Sequence, residues 1–154
     1  QSQNFDDALL DALNAFNRDD YETAYKLFLP LAEQGDMFAQ HFLALLHLEE
    51  GVNQDYKEAV KLFLLSAEQG NMFAQYGLGY MYYEGQGVPQ DYEEAVKWYR
   101  LSAEQGDADG QCGLGEMYYG GEGVPQDYAE AIKLWKLAAE QGHEEAQYNL
   151  DNYA

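Results

Sequence analysis

The sequence predicts an all-α protein, a solenoid of helix-turn-helix repeats with about nine helices. A right-handed superhelix is the usual stacking of such repeats. Three observations predict this fold. Ala32-Glu33-Gln34-Gly35 recurs as Ala67-Glu68-Gln69-Gly70, Ala103-Glu104-Gln105-Gly106 and Ala139-Glu140-Gln141-Gly142. The pairs Asp20-Tyr21, Asp55-Tyr56, Asp91-Tyr92 and Asp127-Tyr128 keep step with it, both markers advancing by 35, 36 and 36 positions. Strand-type alternation is absent. The chain therefore reads as one repeat domain over 1–154, with a degenerate first repeat at 5–35, repeats at 36–70, 71–106 and 107–142, and a terminal helix from 143 to 154.

Taken in order, Phe5 to Phe16 reads as a first helix. The next begins after Asp20, a good N-cap residue, and Pro30 within it predicts a kink or a shifted start. Its counterparts follow Asp55, Asp91 and Asp127; in one of them Tyr92, Ala95, Tyr99 and Ala103 fall on one helical face. The glycine of each Glu-Gln-Gly suits a left-handed helix end. The second helix of each pair starts near Asp36, Asn71 or Asp107 and stops in a turn. The turn Gly51-Val52-Asn53-Gln54 is shorter than Gly85-Gln86-Gly87-Val88-Pro89-Gln90, which accounts for the 35-residue step. Small residues recur at Ala39, Ala74, Gly110 and Ala146 and at Ala24, Ala59, Ala95 and Ala131, with Phe28, Phe63, Tyr99 and Trp135 in the complementary row. His143 to Tyr153 reads as the last helix, either a cap for the stack or the point where a longer array continues.

Composition narrows the partners. With 8 Lys and Arg against 28 Asp and Glu, the net charge is −20, a field that repels phosphate backbones and anionic lipid. Nucleic acid and membrane surfaces are thus poor partners and a basic protein a good one, although acidity also serves solubility. No run approaches the roughly 20 apolar residues of a membrane span. The first residues, Gln1-Ser2-Gln3-Asn4, lack the basic and apolar regions of a signal peptide, while the start without Met leaves room for a leader already removed. Cys112 is the single cysteine, so no intrachain disulfide can form.

The motif Ala-Gln-x-x-Leu-Gly-x-x-Tyr, then Gly-x-Gly-Val-Pro-x-Asp, Ala-x-x-Trp and Ala-Glu-Gln-Gly resembles the Sel-one-like repeat (SLR) family, relatives of the tetratricopeptide repeats. Residues 74–106 and 110–142 match almost throughout, including Leu78, Gly79, Tyr82, Gly87, Ala95, Trp98, Leu114, Gly115, Tyr118 and Gly123. Residues 39–70 match less well, with Ala44 in place of the glycine after Leu43. The resemblance implies an adaptor or scaffold in protein complexes, often in periplasmic or secreted bacterial proteins, and ranks a cytoplasmic location second. One branch of the family, with a disulfide in each repeat, is associated with β-lactam binding. This chain departs from it, since Cys112 has no partner and no Ser-x-x-Lys occurs.

No catalytic set or cofactor motif emerges. His143-Glu144-Glu145-Ala146-Gln147 begins like a zinc-protease helix, but Gln147 stands where the second histidine belongs; a solvated helix start is the plainer reading. Gly77-Leu78-Gly79 and Gly85-Gln86-Gly87 follow no strand and carry no lysine, so they are packing and turn glycines, not phosphate loops. Glu84, Glu122 and Asp127 lack the ligand spacing of a calcium loop. His41 and His47 read as packed or exposed histidines. The chain reads as a non-enzyme without metal or cofactor.

The binding surface expected from helical spacing is a stripe on the second-segment helices. It comprises Phe38, His41, Leu45 and Leu48; then Phe73, Tyr76, Tyr80 and Tyr83; then Asp109, Cys112, Glu116 and Tyr119; then Glu145, Tyr148 and Asn152. Of these, Phe38, His41, Leu45, Leu48, Phe73, Tyr76, Tyr80, Tyr83, Glu116, Tyr119 and Tyr148 are the candidate partner-binding residues on the concave face. Aromatic side chains offer stiff contact area, and the carboxylates around them suit a peptide carrying apolar anchors and Lys or Arg. The competing readings are contacts to the adjacent repeat, self-association, β-lactam-type small-molecule binding or hydrolysis, and a purely structural spacer.

Overall fold

The computed structural model describes residues 2–50 and 53–154, and among them it holds nine helices and no strand. Gly51 and Val52, half of the shortened turn, lie outside the described residues, as does Gln1. By internal contacts the chain forms two compact units, Gln1–Asn71 and Met72–Ala154. Unit one contains α1 (Ser2–Asn17), α2 (Tyr21–Glu33), α3 (Met37–Leu46) and α4 (Tyr56–Glu68). Unit two contains α5 (Met72–Glu84), α6 (Tyr92–Glu104), α7 (Ala108–Gly120), α8 (Tyr128–Glu140) and α9 (Glu144–Tyr153). Within each unit every helix packs on the next, and α5 also touches α7.

The helix boundaries follow from local chemistry. Asp20, Asp55, Asp91 and Asp127 accept the amide protons of Thr23, Glu58, Glu94 and Glu130 at 3.0–3.3 Å, and Asp36 and Asp107 accept those of Ala39 and Gly110 at 2.8 and 3.0 Å. Each cap satisfies an amide that the first turn leaves without a partner. At the other ends Gly35, Gly70, Gly106 and Gly142 take φ of 86–97°, the left-handed conformation expected of them. Pro30 does not shift the start of α2, which follows Asp20 as α4, α6 and α8 follow their own aspartates. Pro30 lies in the last turns of α2 with an exposed ring, and its carbonyl still accepts from Gln34 at 3.1 Å. Only its missing N–H is lost to the helix, so the chain continues through it.

The small-against-large pattern builds the core. Ala24, Ala59, Ala95, Ala131, Ala39, Ala74 and Ala146 are 0% exposed, and Phe28, Phe63, Tyr99 and Trp135 no more than 3%. In unit one the rings of Phe28 and Phe42 stack 5.3 Å apart, and Phe16 of α1 meets Phe42 edge-on at 5.1 Å. This ring cluster ties the first helix to the repeats that follow. His47 is also part of this core: it is 6% exposed, packs edge-on to Tyr25, and its Nδ1 lies 2.8 Å from the Asn53 carbonyl.

A polar clasp repeats alongside the apolar core. Gln40, Gln75 and Gln111 are buried, and a buried amide needs partners. Each receives a proton from the glutamine of a later Glu-Gln-Gly: Gln69 to Gln40 at 2.8 Å, Gln105 to Gln75 at 2.8 Å, and Gln141 to Gln111 at 3.0 Å. Gln69 and Gln141 also donate to the carbonyls of Gly35 and Gly106. These bonds fix the stagger between successive pairs, whereas ion pairs contribute little. Lys26–Glu22 and Lys97–Glu94 are exposed pairs within single helices, worth a few tenths of a kcal/mol at most.

Candidate functional site

Unit two contains a cavity of about 880 Å³ with contributions from all five of its helices. Helix α5 presents Tyr76, Tyr80 and Tyr83 on one face, since steps of four and three residues stay on one side of a helix. Helix α7 contributes Asp109, Cys112, Glu116 and Tyr119 by the same spacing, and α9 contributes Glu145, Asn149 and Tyr153. Tyr99 and Trp135, the large residues of the packed core, also reach it.

The aromatic lining falls into two ring groups. Tyr76 stacks on Tyr99 at 5.5 Å with 23° between planes, and Tyr80 lies 6.4 Å from Tyr76. Tyr119 lies 5.4 Å from Trp135 and 5.5 Å from Tyr153. Trp135 is held in turn by its Nε1, which donates to the Cys112 carbonyl at 3.3 Å. Burial, reinforced by nearby carboxylates, pushes the Tyr76 hydroxyl far above its ordinary range, and burial does the same to Tyr99. Both phenols therefore stay neutral at any physiological pH.

Carboxylates complete the lining: Glu84, Asp109, Glu116, Glu122 and Glu145. No lysine or arginine of the described residues lines the cavity. The Glu116 and Glu145 carboxylates and the Cys112 sulfur come within 4.8 Å of one another. Asn149 Nδ2 donates to Glu116 Oε1 at 3.4 Å. Desolvation, and then the shared proton and charge of Glu145, push the Glu116 carboxyl up to about 8 from an ordinary 4.5. An acid whose pKa rises on folding binds its proton more tightly in the folded state. Stability is then lost as pH climbs through that window, and the loss is complete above the folded value. Glu116 is more than a third open to solvent, and screening reduces the cost to about 1 kcal/mol. Glu116→Gln is expected to be about 1 kcal/mol more stable than the native chain at pH 9 and equal to it at pH 4, read from urea midpoints. Equal midpoints at pH 9 would remove this account.

Geometrically the same trio could surround a metal ion. Chemically the set is mismatched, pairing hard carboxylates with a thiol that burial and the neighbouring acids hold protonated. His143 is less solvated than the sequence suggests, with its side chain 15% exposed. Its Nδ1 accepts the Ala146 amide at 3.2 Å, capping α9, and its Nε2 lies 2.8 Å from Asp109 Oδ1. The tautomer that accepts at Nδ1 donates to Asp109 at Nε2. Asp127 caps α8, while Glu84 and Glu122 line the cavity.

The cavity thus gathers Tyr76, Tyr80, Tyr83, Glu116 and Tyr119 from the expected stripe. Phe73 and Tyr148 are exposed outside it, Tyr148 packing on Tyr153. In unit one Phe38 is exposed, Leu45 and Leu48 are half-buried, and His41 packs against Phe42 and Phe63. On α9 the face turned to the cavity is Glu145, Asn149 and Tyr153, one residue round from the expected Glu145, Tyr148 and Asn152. Asn149 could have been found from sequence, lying three residues after the core residue Ala146 on the same side of the helix.

A family model for the Sel1 repeat matches residues 17–36, 38–71, 73–107 and 108–143. No curated protein matches the chain. Among solved structures, a protective antigen of uropathogenic Escherichia coli displaying an SLR fold is 43% identical with a TM-score of 0.77, over 82% of this chain and 27% of that one. A Sel1 repeat protein from Oxalobacter formigenes is 31% identical with a TM-score of 0.86, over 94% of this chain and 58% of that one. Helicobacter pylori cysteine rich protein B shares the fold at 23% identity and a TM-score of 0.66. The chain therefore spans about a quarter and somewhat over half of the first two relatives.

Proposed function

This chain belongs to the Sel1 repeat family, and from that premise we propose that it is a protein-interaction module which seats a segment of a partner protein in the cavity of unit two. Sel1 repeat proteins are generally non-enzymatic interaction scaffolds. The observation that supports this site is the aromatic and acidic lining around about 880 Å³ of open volume. Stiff aromatic faces bind side chains with little entropy loss, and 880 Å³ holds several residues of peptide. A spacer would have no use for such a lining. The bacterial relatives, one of them a protective antigen, favour a periplasmic or secreted setting.

A photoreactive amino acid at position 80, in the cavity, and another at position 101, on an exposed site of α6 away from it, test the reading. Periplasmic and cytosolic fractions of the source bacterium are irradiated separately with each. Specific adducts from position 80 alone, in the periplasmic fraction, are expected. Equal adducts from both positions, or none from 80, would sink the cavity as the docking site.

A further inference from the structure

We propose that the cavity of unit two is a receptor for one arginine side chain of the partner segment, its guanidinium held by Glu116 and Glu145 and its stem laid against the tyrosines. The inference rests on the reading above and names the group that is recognised. Two observations carry it together. The first is the gathering of rings beside carboxylates: Tyr76, Tyr80, Tyr83, Tyr99, Tyr119 and Tyr153 line the same space as Glu116 and Glu145. A cation over a ring face is attracted by the ring's quadrupole, and a guanidinium also stacks flat on it.

The second is missing counter-charge. Two carboxylates within 4.8 Å of each other ease their repulsion by sharing a proton, and no cationic side chain of the described residues lines the cavity to take that proton's place. Among the described lining residues, His143 is the one able to carry a positive charge, and it is already engaged by Asp109 and the Ala146 amide. A planar fork of donors can serve both carboxylates at once, which a compact ammonium does less well. Arginine therefore fits better than lysine. The net charge of −20 brings any basic segment near, but only the cavity selects the residue.

The test uses the full chain and a displayed random peptide library, selecting those peptides that position-80 crosslinking places in the cavity. The expected result is an arginine at one fixed position of the selected peptides. Synthetic copies with that arginine replaced by citrulline, its neutral isostere, should bind at least about tenfold more weakly, and lysine copies should fall between. Glu116→Gln and Glu145→Gln should each weaken the arginine peptide by about tenfold, with helical circular dichroism unchanged. Glu93→Gln and Glu104→Gln, on α6 outside the cavity, should leave it unchanged.

Citrulline binding as tightly as arginine, or Glu93→Gln weakening as much as Glu116→Gln, would overturn the inference, the latter by tracing attraction to overall charge. Cavity-bound peptides with no basic residue would overturn it while leaving the docking reading intact. A library that yields no cavity-bound peptide would overturn both.

Discussion

Leucine in place of Gly115 is expected to unfold unit two, and alanine there to destabilise it, although alanine is the better helix former. In most exposed helix positions glycine to alanine gains about 1 kcal/mol. Here a Cβ on Gly115 would stand 2.7 Å from Trp135 Nε1 and 2.8 Å from its Cδ1. The indole is held in place: it is 1% exposed, bonded to the Cys112 carbonyl and packed on Tyr119. Gly79 repeats the arrangement one repeat earlier, its Cβ falling 2.6 Å from Tyr99 Cδ1, while the far side of that ring lies 3.2 Å from a Cβ on Gly113. Overpacking a filled site costs about 1–3 kcal/mol for small additions. Alanine at either position should therefore lose about 2 kcal/mol net, and leucine about 4 kcal/mol or more, close to the whole stability of a small domain.

Urea midpoints check this, with Gly120→Ala as the control, because the atom it would meet is the movable Glu122 carboxylate at 3.1 Å. A double-mutant cycle makes the cause specific. Combined with Tyr99→Leu, Gly79→Ala should cost much less than it does alone. Additive losses would mean that the ring is not what excludes the Cβ.

The same contacts mark what could be read from the sequence. Period, caps, left-handed glycines and the small-against-large rows were all legible, because each depends on spacing along one helix or on one residue's conformation. The glutamine clasp was not legible. Gln69 and Gln40 are distant in sequence, and nothing in either local pattern says that one is buried and requires the other.

The cavity lay between these cases. Tyr76, Tyr80, Tyr83, Glu116 and Tyr119 follow from helical spacing, but the convergence of Glu145 on Glu116 depends on how α9 docks against α7, and that is a tertiary fact. A drift of one residue on α9 moved Tyr148 out and brought Asn149 and Tyr153 in. Tyr99 and Trp135 were assigned a single role, in the core, when each has a second one at the cavity.

His41 shows the same limit in unit one and leads to the second large expected effect. Helical spacing puts it on the exposed stripe, yet its ring meets Phe42 edge-on at 5.0 Å and Phe63 at 6.0 Å. Burial lowers its pKa from 6.5 to about 4. A base held neutral by folding binds protons more weakly in the folded state, so between these two values the unfolded chain takes up the proton. Its contribution is therefore complete above pH 6.5 and is lost as pH falls through the window, saturating near pH 4. Each pKa unit is about 1.4 kcal/mol, which sets the loss at up to about 3 kcal/mol. The many carboxylates titrate over the same range, so the quantity to read is the difference between the native chain and His41→Phe. Phenylalanine keeps a ring among rings and carries no proton. The variant's midpoint relative to the native chain should rise steadily from pH 7 to pH 4. Parallel curves would show that His41 reaches water when charged, and would return it to the exposed stripe.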